Sequence, residues 1–127
     1  MFSPLVPFEA AVESLGNAEV LHFGIGLKEN NLWRYYSVML EDEEGFVHME
    51  QAFYGPIPVC EFRSGRRNPG ATREQAISEV VAHDERMAEV NSFQLHSLRV
   101  EKKGAEALHA ISAFMDFVTS DDTKYAA

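Results

Sequence analysis

Between residues 18 and 54 three β-like runs follow one another with polar turns between them, and in the first and third, 18–27 and 46–54, apolar side chains recur at every second position. Leu21, Phe23, Ile25 and Leu27 share one side of the first run, with His22, Gly24 and Gly26 on the other. A period of two is what a β-strand imposes, because successive side chains leave the backbone in opposite directions. Lys28-Glu29-Asn30-Asn31 then reads as a turn, and residues 32–41 form the most β-like run, rich in aromatic and branched side chains. Asp42-Glu43-Glu44-Gly45 closes a hairpin into residues 46–54, and Gly55-Pro56 leads to a fourth strand over 57–63, which Pro56 and Pro58 push to a sheet edge. Short turns between consecutive strands imply an antiparallel meander.

Helical spacing flanks these strands. Phe8, Ala11, Val12 and Leu15 predict a short helix over 8–15, bounded by Pro7 and Gly16. Residues 64–71 read as a loop, after which Thr72 and Gln75 form a capping box for a helix running to about residue 91. Ile77, Val80, Val81, Met87 and Ala88 make its apolar stripe, which Asp84 interrupts. Residues 93–101 predict a fifth strand, with a bulge to absorb the parity slip between Leu95 and Leu98. A last helix covers 105–118, and residues 120–127 form a frayed tail. The expected fold is α+β: one domain over 1–127, with a curved antiparallel meander of four to five strands. About three helices pack on one face of it, in the order α-β-β-β-β-α-β-α.

A chain of 127 residues with 46% hydrophobic and 24% charged side chains has the composition of an ordinary globular domain. Its 20 acidic and 11 basic residues leave a net charge of −9, which opposes binding to nucleic acid or an anionic membrane. Cys60 is the only cysteine and lies in an apolar run, so no intrachain disulfide forms. No apolar run approaches the roughly 18 residues that cross a bilayer, and Met1–Pro7 has no basic stretch of a signal peptide. The expected compartment is the cytoplasm.

No phosphate-binding or nucleophile motif is present, which disfavours an enzyme; neither catalytic residue nor cofactor is expected. Gly24-Ile25-Gly26 reads as a close packing point inside a strand. The five histidines lack ligand spacing along the chain, and no metal site is expected. The set that strands could nevertheless bring together is His22, His48 and Glu50, the last two on one face. His83-Asp84-Glu85 reads as a helix-edge ion pair.

Two charged features remain. Residues 1–60 hold nine acidic and two basic side chains, a net of −7, with Glu41, Asp42, Glu43 and Glu44 consecutive at the hairpin tip. Trp33 and Tyr35 lie on the face of their strand opposite Tyr36, Val38 and Leu40, so both faces are apolar. That pattern implies helices on one face and a partner, a ligand or a second subunit on the other. Together these residues predict an acidic protein-binding domain, an inhibitor or immunity-type protein that blocks a basic site on another protein. A homodimeric assembly subunit is one alternative. The other is a site for a small anionic ligand at Arg66, Arg67, Thr72 and Arg73, where an arginine-rich loop meets a helix N-terminus.

Overall fold

The three β-like runs become ten-residue strands: β1 (Glu19–Lys28), β2 (Trp33–Asp42) and β3 (Gly45–Tyr54). They pair antiparallel in sequence order, through registers that include Phe23↔Val38 and Val38↔Met49. The computed structural model describes residues 18–59, 63–66 and 71–120. The helix expected over 8–15 and the tail beyond Ser120 lie outside the described residues. After β3 come β4 (Ile57–Pro58) and β5 (Arg63–Arg66), then α1 (Arg73–Asn91), β6 (Gln94–Lys103) and α2 (Gly104–Thr119).

The sheet runs β4-β3-β2-β1-β6, with β5 also on the outer edge of β3. β4 pairs with the end of β3 at Phe53 and Tyr54, and β5 with its beginning, from Val47 to Glu50. Antiparallel α+β architecture is thus observed, but the element order differs from expectation. Residues 63–66 form a strand where a loop was expected to begin, because backbone pairing with β3 holds Arg-Ser-Gly-Arg extended without any apolar alternation.

Both turns of the meander have clear local causes. Glu29, Asn30 and Asn31 all take positive φ, a conformation that asparagine tolerates better than most residues. At the hairpin tip the Asp42 carboxylate accepts a 2.9 Å hydrogen bond from the Glu44 backbone N–H. The capping box at α1 is present as expected: Gln75 N donates to Thr72 Oγ1 at 3.2 Å, and Thr72 N donates to Gln75 Oε1 at 2.9 Å.

The two helices cover opposite faces of the sheet. Ala107, Ile111, Met115 and Val118 of α2 pack with Phe23, Ile25, Tyr36, Val38, Met49 and Phe53. Ala76, Ile77 and Val80 of α1 pack on the other face, with Leu21, Met39 and Phe46. This corrects the expectation of helices on a single face, and of an apolar face left for a partner, a ligand or a second subunit. β2 is apolar on both sides because the chain supplies a helix to each. The same cause explains Leu95 and Leu98, which stand opposite Gly26 and Phe23 on different faces of a regular ladder. The register shifts lie instead between Val20 and His22: against β2, Leu21 is the extra residue and joins His22 on the α1 face, whereas against β6 the extra residue is on β6, where Val100 and Glu101 stand opposite Leu21.

Candidate functional site

Under α1 the sheet presents a row of polar side chains. Strand alternation puts Tyr35, Ser37 and Met39 of β2 on that face, with His48 and Glu50 of β3 beside them through Met39↔His48 and Ser37↔Glu50. From above, α1 lowers His83 and Asp84 onto them. Asp84 and Ser37 are fully buried, while His48 is 5% and Glu50 8% exposed.

Close approach is possible because β1 carries glycine where α1 crosses it. A Cβ on Gly24 would lie 2.6 Å from Asp84 Oδ2, and one on Gly26 would lie 3.0 Å from Phe93 Cβ. The glycines are the close packing points that the strand pattern suggested, with a carboxylate as the group accommodated at Gly24.

The contacts form a connected network. Tyr35 Oη donates to Asp84 Oδ1 at 3.0 Å, and Ser37 Oγ lies 2.7 Å from His48 Nε2. Glu50 Oε2 stands 3.8 Å from His48 Nδ1 and 3.0 Å from His83 Nε2. The two imidazole rings meet edge to face, with centroids 5.3 Å apart. One donor atom from each of His48, Glu50 and His83 lies within 4.8 Å of the other two. The contact between His83 Nε2 and Glu50 is close enough for an ion pair but lacks the alignment of a hydrogen bond. If that nitrogen bears a lone pair, it faces a carboxylate oxygen at 3.0 Å, an arrangement that repels unless a proton or another cation lies between.

Burial tunes the groups around this cluster. It is the main reason that the Asp84 carboxyl is raised from 3.8 to about 6, helped by the nearby Glu50 charge and opposed by the neighbouring hydroxyls of Ser37 and Tyr35. The Tyr35 phenol is pushed up by burial and by the Asp84 charge. Burial also lowers His22, with the Arg99 charge acting in the same direction.

The sequence placed His48 and Glu50 together but chose His22 as their companion. His22 stands on β1 opposite Met39, so a strand carrying a methionine separates it from His48. His83 takes that position instead. Its close contact with a carboxylate is across the interface, to Glu50 Oε2, and not the helix-edge ion pair that was expected. The available signal was Asp84, a polar residue on the buried stripe of α1 that had to meet polar partners on the sheet.

The other expected sites are dispersed. Tyr35 is 2% exposed and engaged with Asp84, so it lies on no surface that a partner could touch. Trp33 packs edge-on against Tyr54, with the Lys28 ammonium over its ring. Glu43 and Glu44 are exposed at the hairpin tip, while Glu41 accepts a 2.6 Å hydrogen bond from Arg73. Arg73 also pairs with Glu19 and Glu101, at 3.3 and 3.7 Å. Arg73 therefore neutralises the protein's own acidic strands, and Thr72 is occupied as the helix cap. Arg66 contributes to the β5 ladder, and Arg67 lies outside the described residues.

Within the described residues, no helix is long and apolar enough to cross a membrane. No protein-family model, curated protein or solved structure matches the chain.

Proposed function

We propose that this domain binds a divalent transition-metal ion through His48, Glu50 and His83. The observation that carries the reading is the convergence of three donor atoms, from a strand and a helix, to within 4.8 Å of one another. Ligands at about 2.1 Å from a metal stand about 3.0 Å apart at right angles and about 3.4 Å apart in a tetrahedron. The carboxylate's separations from the two nitrogens, 3.0 and 3.8 Å, lie near those values, and with all three atoms within 4.8 Å a movement of about an ångström would close the site. Two imidazoles and a carboxylate suit zinc or iron(II). A cation also answers the electrostatic problem between His83 Nε2 and Glu50.

Calorimetric titration with Zn²⁺, Co²⁺ and Mn²⁺ tests this directly. Micromolar or tighter binding is expected, abolished in His83→Ala and accompanied by a higher Tm for the wild type. A ligand that binds only the folded state adds about 2.7 kcal/mol at a hundredfold excess over its Kd. If none of the three ions binds or raises the Tm, the metal reading is wrong.

A second reading keeps the acidic hairpin as a docking edge for a basic protein surface, supported by the exposure of Glu43 and Glu44. Charge reversal, Glu43→Lys with Glu44→Lys, should slow association with a partner recovered from host extract, and added salt should slow the wild type likewise. Equal rates in both tests would remove this reading.

A further inference from the structure

Metal binding by His48 needs a lone pair on one ring nitrogen, and the two nitrogens have different surroundings. Nε2 lies 2.7 Å from Ser37 Oγ, whereas Nδ1 is the nitrogen directed at Glu50 Oε2. Ser37 is completely buried and His48 nearly so, which makes their contact a fixed feature of the interior. A neutral imidazole has one N–H and one lone pair, and a hydroxyl can satisfy either. The direction of the Ser37 proton therefore decides the tautomer.

That direction follows from what else surrounds the hydroxyl. The fully buried Asp84 carboxyl stands over Gly24, the residue that pairs with Ser37 across the β1–β2 ladder, and its Oδ2 has no donor of its own. With its proton turned towards Asp84, Ser37 Oγ presents lone pairs to His48. Nε2 then carries the imidazole proton, and Nδ1 keeps its lone pair beside Glu50.

We infer that Ser37, anchored by Asp84, is a positioning residue that makes Nδ1 the metal-binding atom of His48; this rests on the metal reading above. One turn of α1 thus does two jobs: His83 is a ligand, and its neighbour Asp84 orients the other imidazole from behind. Hydrogen bonds of this kind to ligating histidines commonly change metal affinity 10- to 100-fold.

Long-range ¹H–¹⁵N correlation of the imidazoles in zinc-loaded wild type reads the tautomer directly. The expected spectrum has the His48 proton on Nε2 and a metal-shifted Nδ1. In parallel, Ser37→Ala should bind zinc about 10- to 100-fold more weakly, and Ser37→Thr should return to within a few-fold of wild type. A His48 proton on Nδ1 in the zinc-loaded protein overturns the inference alone, as does wild-type affinity in Ser37→Ala. If the wild type takes up no zinc, the metal centre and the inference fall together. Should Ser37→Ala not fold, the wild-type spectrum still decides.

Discussion

The approach of α1 to the sheet hinges on a missing side chain, and Gly24→Ala tests it. An added Cβ would sit 2.6 Å from Asp84 Oδ2, a separation that real side chains do not tolerate. Asp84 has no cheap escape, since it is fully buried and holds the Tyr35 phenol. Overpacking of this kind costs about 1–3 kcal/mol, and loss of the buried phenol–carboxylate bond roughly another 1.5–3. Alanine regains roughly 0.5–1 kcal/mol over glycine in a strand. Not all of the first two costs will be realised together, so a net loss of about 2–4 kcal/mol is expected. In urea, that lowers the unfolding midpoint by about 1–2 M. Fluorescence of Trp33, the single tryptophan, and circular dichroism would follow the transition. A double-mutant cycle makes the test specific: with Asp84→Ala already present, Gly24→Ala should cost almost nothing. A loss below about 0.5 kcal/mol, or an equal loss in both backgrounds, would refute the close-packing argument. Because His83 precedes Asp84, displacement of α1 should also separate His83 from Glu50 and weaken metal binding in the same variant.

Two further outcomes follow from the electrostatics. Asp84 titrates near 6 when folded, against 3.8 as its ordinary value. The folded protein therefore keeps a proton that the unfolded chain has lost between those pH values, and stability falls as pH rises through that window. The cost is absent below about pH 4, complete above about pH 6 and of order 3 kcal/mol. Urea titrations of the metal-free protein at pH 4, 5, 6 and 7 should show this slope, and Asp84→Asn should flatten it; a flat wild-type profile contradicts the burial argument. Arg73→Ala removes a half-exposed guanidinium shared by Glu19, Glu41 and Glu101. It should destabilise by only about 1 kcal/mol, less in high salt, and a salt-independent loss would mean that Arg73 acts through packing instead.

The meander was legible because apolar residues recur at every second position of β1 and β3, β2 is dense in aromatic and branched side chains, and each turn has polar residues suited to it. The helix start at Thr72 was legible because a capping box is a local pattern. Residues 63–66 were not, since a short edge strand is held by backbone pairing with β3 and needs no apolar side chain of its own. Periodicity showed that both faces of β2 are apolar but could not show that the chain itself covers each of them. The candidate site was half visible for the same reason. His48 and Glu50 share a face by alternation alone, whereas His83 joins them only through the position of α1 on the sheet. That position depends on Gly24 and on the extra residue at Leu21, neither of which announces a partner.

A stability argument alone does not account for the polar row. The same helix packs Ala76, Ile77 and Val80 against Leu21, Met39 and Phe46 with no polar atom needed. Continuing that apolar packing past Val80 would have been at least as stabilising, since buried charged networks often gain stability when replaced by well-fitted hydrophobic residues. Instead the chain buries a serine, a histidine, a glutamate and an aspartate there, and it leaves Asp84 Oδ2 without a hydrogen-bond donor. Burial of polar side chains is not confined to this row, since His22 and Gln51 are buried too, but among the described residues it is at His48, Glu50 and His83 that three donor atoms converge. Convergence of costly groups on one point is what a binding site requires, and on the metal reading a cation there would offset the cost of Glu50 and of two imidazole lone pairs at once.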